Sequence, residues 1–383
     1  MRLHVIANPL MPTLYRLSLD AHSLMILRFC KLFNKKHEVY FYGCEVNDVE
    51  CTHMIKVIDS KKYVEHDINF YDPDLLLRKI TDKEGEKKIY SIFEENTLKK
   101  IKKYYKKGDI ICQIWTKYKF NQDMISIDFM NFGGYVSDSY VVFCGYPWYN
   151  FQGNMNHENN IIKSRVISPW FNDDEIEYTG DITKYCINIR RYDCFLFLGR
   201  LNNYKGFDIY LRLADIFMNY MFYVAGGYTS YDSKNNIITS GDKQYDLNKY
   251  KNVRYLGILN NTNKYEILSK AEALICPSRY FEPFGLNAIE AHLCGTPVIA
   301  SNIGGYTSTI KNNINGFLCN LDSYQVIDNT KDYDGDLSDW INVLKEKRYL
   351  RLNKRLIRND ALVNYNSTVA YNNYLDFFDN ILS

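Results

Sequence analysis

Five short apolar runs in the second half of the chain constrain its fold more than any other feature. They are FLFLG (Phe195 to Gly199), FYVAGG (Phe222 to Gly227), VRYLG (Val253 to Gly257), ALICP (Ala273 to Pro277) and PVIAS (Pro297 to Ser301). Each is long enough for one buried strand and too short for a helix, and four of the five close on Gly or Pro. Helical patterns lie between them, over Gly206 to Asn219, Asn263 to Lys270 and Gly285 to Cys294. Strands alternating with helices imply an α/β domain with a parallel sheet, whose carboxyl edge is where ligands bind.

The first half repeats the alternation. Leu3 to Ala7 reads as a strand, Ser18 to about Asn34 as a helix, and Glu38 to Tyr42 as a strand; Asp109 to Trp115 and Tyr140 to Cys144 are further strands. The pattern weakens between Ser164 and Asp193, where Pro169, Asp173, Asp174 and Gly180 favour a connection. The expected organisation is a Rossmann-like domain over 1–170, a linker over 171–192, a second Rossmann-like domain over 193–365 and a terminal helix over 366–383. Tyr228 to Lys251, polar and rich in Asn, is expected to be an inserted excursion or loop, and the chain beyond Leu318 to be polar and largely helical.

A chain of 383 residues with 46% hydrophobic residues and 34 Tyr can bury large cores, which excludes both a disulfide-dense miniprotein and global disorder. Lys plus Arg minus Asp plus Glu is 47 − 45 = +2, without the basic excess of a dedicated nucleic-acid binder. The ten Cys are scattered with no C-x-x-C pair, so they read as free thiols in a reducing compartment rather than a zinc site or a disulfide framework. The first residues do not follow a signal-peptide pattern, and no apolar run reaches about 18 residues. The expected location is cytoplasmic, and no metal site is expected, because the seven His have no ligand spacing.

The residues most able to carry chemistry lie in SRYFEPFGLNAIEAHLCGTPVIASNIGG, Ser278 to Gly305. Pro283 and Gly285 precede the periodic run Leu286, Ile289, Leu293, so a loop turns into a helix start at Phe284 to Leu286. The free amides and dipole of that start form an anion site. Glu282 stands on the loop and Glu290 one turn into the helix, eight residues apart, where the pair can flank a ligand and accept from sugar hydroxyls. Upstream, GRLNNYKG places Arg200 and Lys205 after the turn at Gly199, two cations suited to a pyrophosphate leaving group.

In this order, GRLxxxKG, VRYLG, E-P-F-G-L-N-A-I-E-A (Glu282 to Ala291), G-T-P-V-I-A-S and N-G-F-L (Asn315 to Leu318) resemble the retaining glycosyltransferases of GT-B fold, family 4 type. The resemblance covers about Phe195 to Leu318. It implies two Rossmann-like domains facing each other across a cleft, with the terminal helix returning to the first. It also implies transfer of a hexose-type sugar from a UDP- or GDP-sugar to a glycan, lipid-linked or other hydroxyl acceptor, with retention and without a tightly bound cofactor or required divalent metal. By the same resemblance, Arg200 and Lys205 bind the donor diphosphate beside Gly199. Glu282 contacts the transferred sugar, Glu290 holds the ribose hydroxyls, backbone at Phe284, Gly285 and Leu286 meets sugar and phosphate, and Ile258 marks the base contact. Gly226 and Gly227 fit a packing role as well as a binding one.

The sequence departs from that family at three places. NPLMPT (Asn8 to Thr13) replaces the glycine-rich loop after the first strand, ICQIWTKYK (Ile111 to Lys119) lacks the family's histidine, and Ser308 stands where a Glu is common. An epimerase or hydrolase of similar fold and a non-catalytic nucleotide-sugar-binding subunit are the rival readings. KKIKKYYKK, Lys99 to Lys107, reads either as a solvated helix face or as peripheral contact with an anionic membrane, which would suit a lipid-linked acceptor. Asp72-Pro73-Asp74 and the DYDGD of Asp332 to Asp336 imitate metal loops without the context such sites need; the latter has Leu337 and Val343 where a calcium loop needs Gly and Glu.

Overall fold

The structure is a computed structural model that describes residues 1–15, 21–65, 83–114, 116, 118–131, 139–155, 163–176, 179, 194–227, 229–324 and 328–383. The chain divides into two compact units. One comprises Met1–Cys144, Tyr149–Asn172 and Ser367–Ser383; the other comprises Gly145–Trp148 and Asp173–Asn366.

The first unit is built on a seven-stranded parallel sheet. Its strands are β1 (Arg2–Ile6), β2 (Glu38–Cys44), β3 (His53–Ile58), β4 (Ile110–Gln113), β5 (Ile125–Asn131), β6 (Tyr140–Phe143) and β7 (Ser164–Val166), in the order β3-β2-β1-β4-β5-β6-β7. Three of these strands escape the sequence pattern. β3 is an edge strand with His53 and Met54 exposed, so it carries no apolar run. β5 is interior but interrupted by Ser126, Asp128 and Asn131, whose side chains pair laterally: Ser126 Oγ lies 2.8 Å from Ser139 Oγ, and Asn131 Nδ2 donates to Asp128 Oδ2 at 2.7 Å. β7 has only three residues.

Helix Ala21–Phe33 buries Leu24, Leu27 and Phe29 as its periodicity predicts. Its Phe29 and Phe33 meet Tyr374 and Phe378 of the terminal helix Ser367–Leu382, with ring centroids 5.5 Å apart for Phe29 and Tyr374 and 5.7 Å for Phe33 and Phe378. Trp170 closes the same cluster 5.7 Å from Tyr374. The terminal helix thus supplies core to the first unit, although the chain reaches it only after completing the second.

The second unit has a six-stranded parallel sheet in the order β13-β9-β8-β14-β15-β16. Its strands are β8 (Cys194–Leu198), β9 (Met221–Ala225), β13 (Val253–Tyr255), β14 (Ala273–Cys276), β15 (Val298–Ser301) and β16 (Gly316–Cys319). The segment after β9, expected as an inserted excursion or loop, is an excursion with a sheet of its own. It forms a small antiparallel sheet, β10 (Ser230–Asp232), β11 (Ile237–Ser240) and β12 (Lys243–Asp246), in which Ile238 and Tyr245 are buried. Asn-rich composition conceals the alternation there because the buried positions are so few. The polar stretch after Leu318 includes helices Ser338–Lys345 and Lys354–Asn364.

In both sheets the chain starts in the middle, runs outward to one edge, then returns to add strands on the other side. The reversal falls between β1 and β4 in the first unit and between β8 and β14 in the second. Loops leaving neighbouring strands part at such a switch point, which opens a crevice at the carboxyl edge.

Candidate functional site

The segments after β8 and β14, which flank the switch point of the second sheet, carry all the sequence-predicted site residues except Ile258, which follows β13. At the end of β8, Gly199 N donates to Ala225 O at 3.1 Å and Leu201 N to Gly227 O at 2.7 Å, so the turn is tied to the end of β9. Gly226 N donates in turn to Gly257 O at 3.1 Å. A side chain at Gly226 would put its Cβ 1.9 Å from Gly199 O, which gives this glycine a packing role. Arg200 follows, exposed to solvent. Asn202 then accepts from Lys205 N at 3.0 Å and caps the short turn Asn203–Lys205.

Lys205 Nζ pairs with Glu282 Oε1, and Ser278 Oγ donates to the same carboxylate oxygen at 3.2 Å. The ammonium also lies 4.8 Å from the ring centre of Tyr280. The two loops are bound through backbone as well: the amides of Arg279 and Tyr280 both donate to Tyr204 O at 2.9 Å. Glu282 is held from the far side, where its carbonyl accepts from Gly305 N at 2.6 Å. Glu282 is thus a largely buried carboxylate in a loop fixed on three sides. Arg200 pairs with no carboxylate among the described residues, so it is the cation of this edge whose charge is left uncompensated.

The helix Leu286–Leu293 begins at Gly285, whose φ of +87° lies in the left-handed region, and no side chain caps it. A Cβ there would also come within 2.7 Å of the Tyr306 ring. Phe284 is buried, and Leu286 is half-buried in the first turn. Asn287 fastens that turn to the sheet: Nδ2 donates to Leu198 O at 3.0 Å, and Oδ1 accepts from the Tyr306 hydroxyl at 3.2 Å. Beneath it, burial pushes the Cys276 thiol up to about 12, which keeps it from acting as a nucleophile near neutral pH.

Glu290 follows one turn later, and its Oε1 accepts from Lys264 Nζ at 2.6 Å. Lys264 comes from the helix Asn261–Lys270, which follows the half-buried Ile258 on the loop after β13. Sequence reasoning missed Lys264 because a lone Lys in NTNKYEILSK looks like one more solvated charge. It missed Asn287 and Tyr306 because short polar side chains and buried phenols have no fixed spacing to recognise.

Asn8, in the segment that replaces a glycine-rich loop, accepts from Leu10 N at 2.9 Å, and Pro9 O accepts from the buried Tyr63 hydroxyl at 3.1 Å. Asp72-Pro73-Asp74 lies outside the described residues. Asp332 pairs with Lys243, and Asp336 accepts from Ser338 N at 3.0 Å. Among the described residues no three His, Cys, Asp or Glu side chains converge as metal ligands, and no helix is long and apolar enough to cross a membrane.

Comparison with known proteins follows the same outline. Residues 189–329 match the family described as glycosyl transferases group 1. An uncharacterized glycosyltransferase of Methanocaldococcus jannaschii is 30% identical over 159 residues, 39% of this chain and 38% of that protein. A D-inositol 3-phosphate glycosyltransferase of Mycobacterium leprae is 33% identical over 124 residues, 32% of this chain and 28% of its own length. The chain therefore aligns with about a third of the length of these curated relatives. Among solved structures, Anabaena Alr3699/HepE superimposes with a TM-score of 0.60 at 12% identity over 99% of both chains. A Rickettsia africae glycosyltransferase gives 0.59 at 16% identity, covering 100% of this chain and 98% of that one. The chain has the GT-B fold, with two Rossmann-like α/β domains, and its residues 189–329 match the family of glycosyl transferases group 1.

Proposed function

We propose that the protein is a retaining glycosyltransferase that moves a hexose-type sugar from a UDP- or GDP-sugar to a hydroxyl acceptor. The observation that carries this reading is the joining of the β8 and β14 loops through Lys205 and Glu282 at the switch point, beside exposed Arg200 and the uncapped helix start at Leu286. Nothing in packing requires a buried carboxylate, two cations and a bare helix start at one sheet edge. A nucleoside diphosphate attached to a sugar uses all of them.

In this reading Arg200, Lys205 and the amides at Gly285 and Leu286 receive the diphosphate, and Glu282 faces the sugar. Lys205 has three donors, so it can keep Glu282 and still reach a phosphate oxygen. The bond from the anomeric carbon to the diphosphate oxygen breaks as the acceptor oxygen bonds to the same face of that carbon. The acceptor proton passes to the departing phosphate. The electrostatic work falls on fixed groups that need no rearrangement as charge develops on the leaving group. Glu290 takes the ribose, Ile258 lies by the base, and no metal is required. The Anabaena neighbour was solved with UDP and with UDP-glucose, which supports a nucleotide-sugar donor.

The acceptor is a glycan, a lipid-linked sugar or another alcohol. A lipid-linked acceptor would suit the lysines at the end of helix Lys83–Tyr104: Lys99, Lys102, Lys103, Lys106 and Lys107 are exposed, whereas Ile101 is buried. Contact with an anionic membrane there would be electrostatic, without an inserted apolar wedge.

The test is a panel of UDP- and GDP-sugars, scored by thermal shift and by release of free nucleotide with and without sugar acceptors. A shift with one donor and acceptor-dependent release are expected. A folded protein that no donor stabilises would overturn the reading.

A further inference from the structure

The seam between helices Asn261–Lys270 and Leu286–Leu293 holds a pair of charges that the fold does not need. The helices are already fastened lower down, where Thr296 Oγ1 donates to Leu268 O at 2.6 Å and Cys294 Sγ to Tyr265 O at 3.6 Å. The neighbouring core is apolar, with Tyr265, Leu268, Ala288 and Ala291 all buried. Yet Lys264 and Glu290 meet in this seam at 2.6 Å with side chains only 9% and 8% exposed. A buried ion pair is often no more stabilising than apolar side chains of the same size. This pair therefore calls for a reason other than stability.

Its location supplies one. Both helices start where a strand leaves the carboxyl edge, and Lys264 and Glu290 stand in or just past their first turns. Among the described residues, the bond between them is the one side-chain hydrogen bond recorded for either group. An ammonium has three donors and a carboxylate about four acceptor sites. Two N–H groups and Glu290 Oε2 are left over, side by side. A vicinal diol matches that set, because each hydroxyl both donates and accepts: one can donate to Oε2 while its neighbour accepts from Nζ.

We propose that Lys264 is a specificity-determining residue, the cationic half of a Lys264–Glu290 clamp that reads the vicinal ribose diol of the nucleotide. The inference rests on the donor-site reading above and adds to it a residue that neither spacing nor motif picks out. Lys264 fixes the Glu290 carboxylate by Oε1 and presents its own N–H to the second hydroxyl. A nucleotide lacking one hydroxyl leaves a buried charge without its partner, so it is rejected more strongly than the loss of an ordinary hydrogen bond would cause.

The experiment measures Kd for UDP, 2′-deoxy-UDP, 3′-deoxy-UDP and inorganic pyrophosphate by calorimetry, on the wild type and on Lys264→Met. The wild type should prefer UDP to each deoxy form by roughly tenfold or more, since hydrogen bonds to charged groups are the strong ones. Lys264→Met should reduce that preference to about threefold or less and leave pyrophosphate binding unchanged. A full preference surviving in Lys264→Met overturns the clamp while leaving the donor site standing. A wild type that binds neither UDP nor pyrophosphate overturns the donor-site reading and the clamp with it. If Lys264→Met does not fold, Glu290→Gln is compared with Glu290→Gln/Lys264→Met, which carries no buried charge. The single variant should then keep a residual diol preference that the double variant loses, and equal preferences in the two would refute the role of Lys264.

Discussion

At the residue scale, the groups at the carboxyl edge of the second sheet differ in how much of the structure depends on them. Arg200 is exposed and pairs with no described carboxylate. Replacing it with Ala should cut turnover by about 10²-fold while leaving the melting temperature unchanged, which parallel kinetic and melting measurements would check. Lys205 and Glu282 hold each other, so Lys205→Ala and Glu282→Ala should lose similar activity and also some stability. Wild-type turnover in all three would refute the donor-site assignment. A separate residue governs pH. His292 is fully buried beside Asn315 O at 3.1 Å, and burial lowers its pKa from 6.5 to about 4. The unfolded chain takes up that proton near pH 6.5 and the folded chain only near pH 4. His292 therefore costs no stability above pH 6.5, and stability falls as pH drops from about 6.5 to about 4, by on the order of 3 kcal/mol. Denaturant melts at pH 7 and pH 4.5 should show the loss, and His292→Gln should reduce it.

At the element scale, the site depends on close backbone approaches. Gly226→Ala would drive a methyl group into Gly199 O and push apart the ends of β8 and β9. A loss of roughly 2 kcal/mol or more is expected in denaturant melts, together with weaker nucleotide binding, because the turn that carries Arg200 moves. The lysines that end helix Lys83–Tyr104 make a different prediction. If they meet a membrane, sedimentation with anionic vesicles should be strong at low salt and vanish at high salt, since no apolar residue of that face is free to insert. Binding that persists in high salt would contradict the electrostatic contact proposed here. At this scale the sequence is uneven evidence. Strands β8, β9, β14 and β15 stand out because they lie inside the sheet and read as continuous apolar runs, whereas the edge strand β13, with Arg254 exposed, is marked by the glycine that follows it. β3, β5 and the small sheet β10 to β12 do not stand out, because an edge strand, an interior strand with paired polar side chains and a two-residue core all break that pattern.

At the scale of the whole molecule, the chain leaves the first unit, builds the second, and returns to the first with its last helix. Ending the chain after Asn366 should uncover Phe29, Phe33 and Trp170 and destabilise the first unit. In a two-transition thermal melt, one transition should move far down while the other, reported by binding of UDP, stays in place. Coincident loss of both would mean that the units do not unfold separately. The sequence by itself determined the alternation of strands and helices, hence two parallel-sheet domains, and the places of Arg200, Lys205 and Glu282 after strand ends and of Glu290 one turn into a helix. Those facts follow from local periodicity, turn residues and spacing, which are written along the chain. Only the tertiary structure decided that Lys205 pairs with Glu282, that Lys264 pairs with Glu290, and that Phe29 and Phe33 need Tyr374 and Phe378. Each of these contacts joins residues brought together by strand order and helix packing, and the free energy of burying them depends on neighbours that no local pattern specifies.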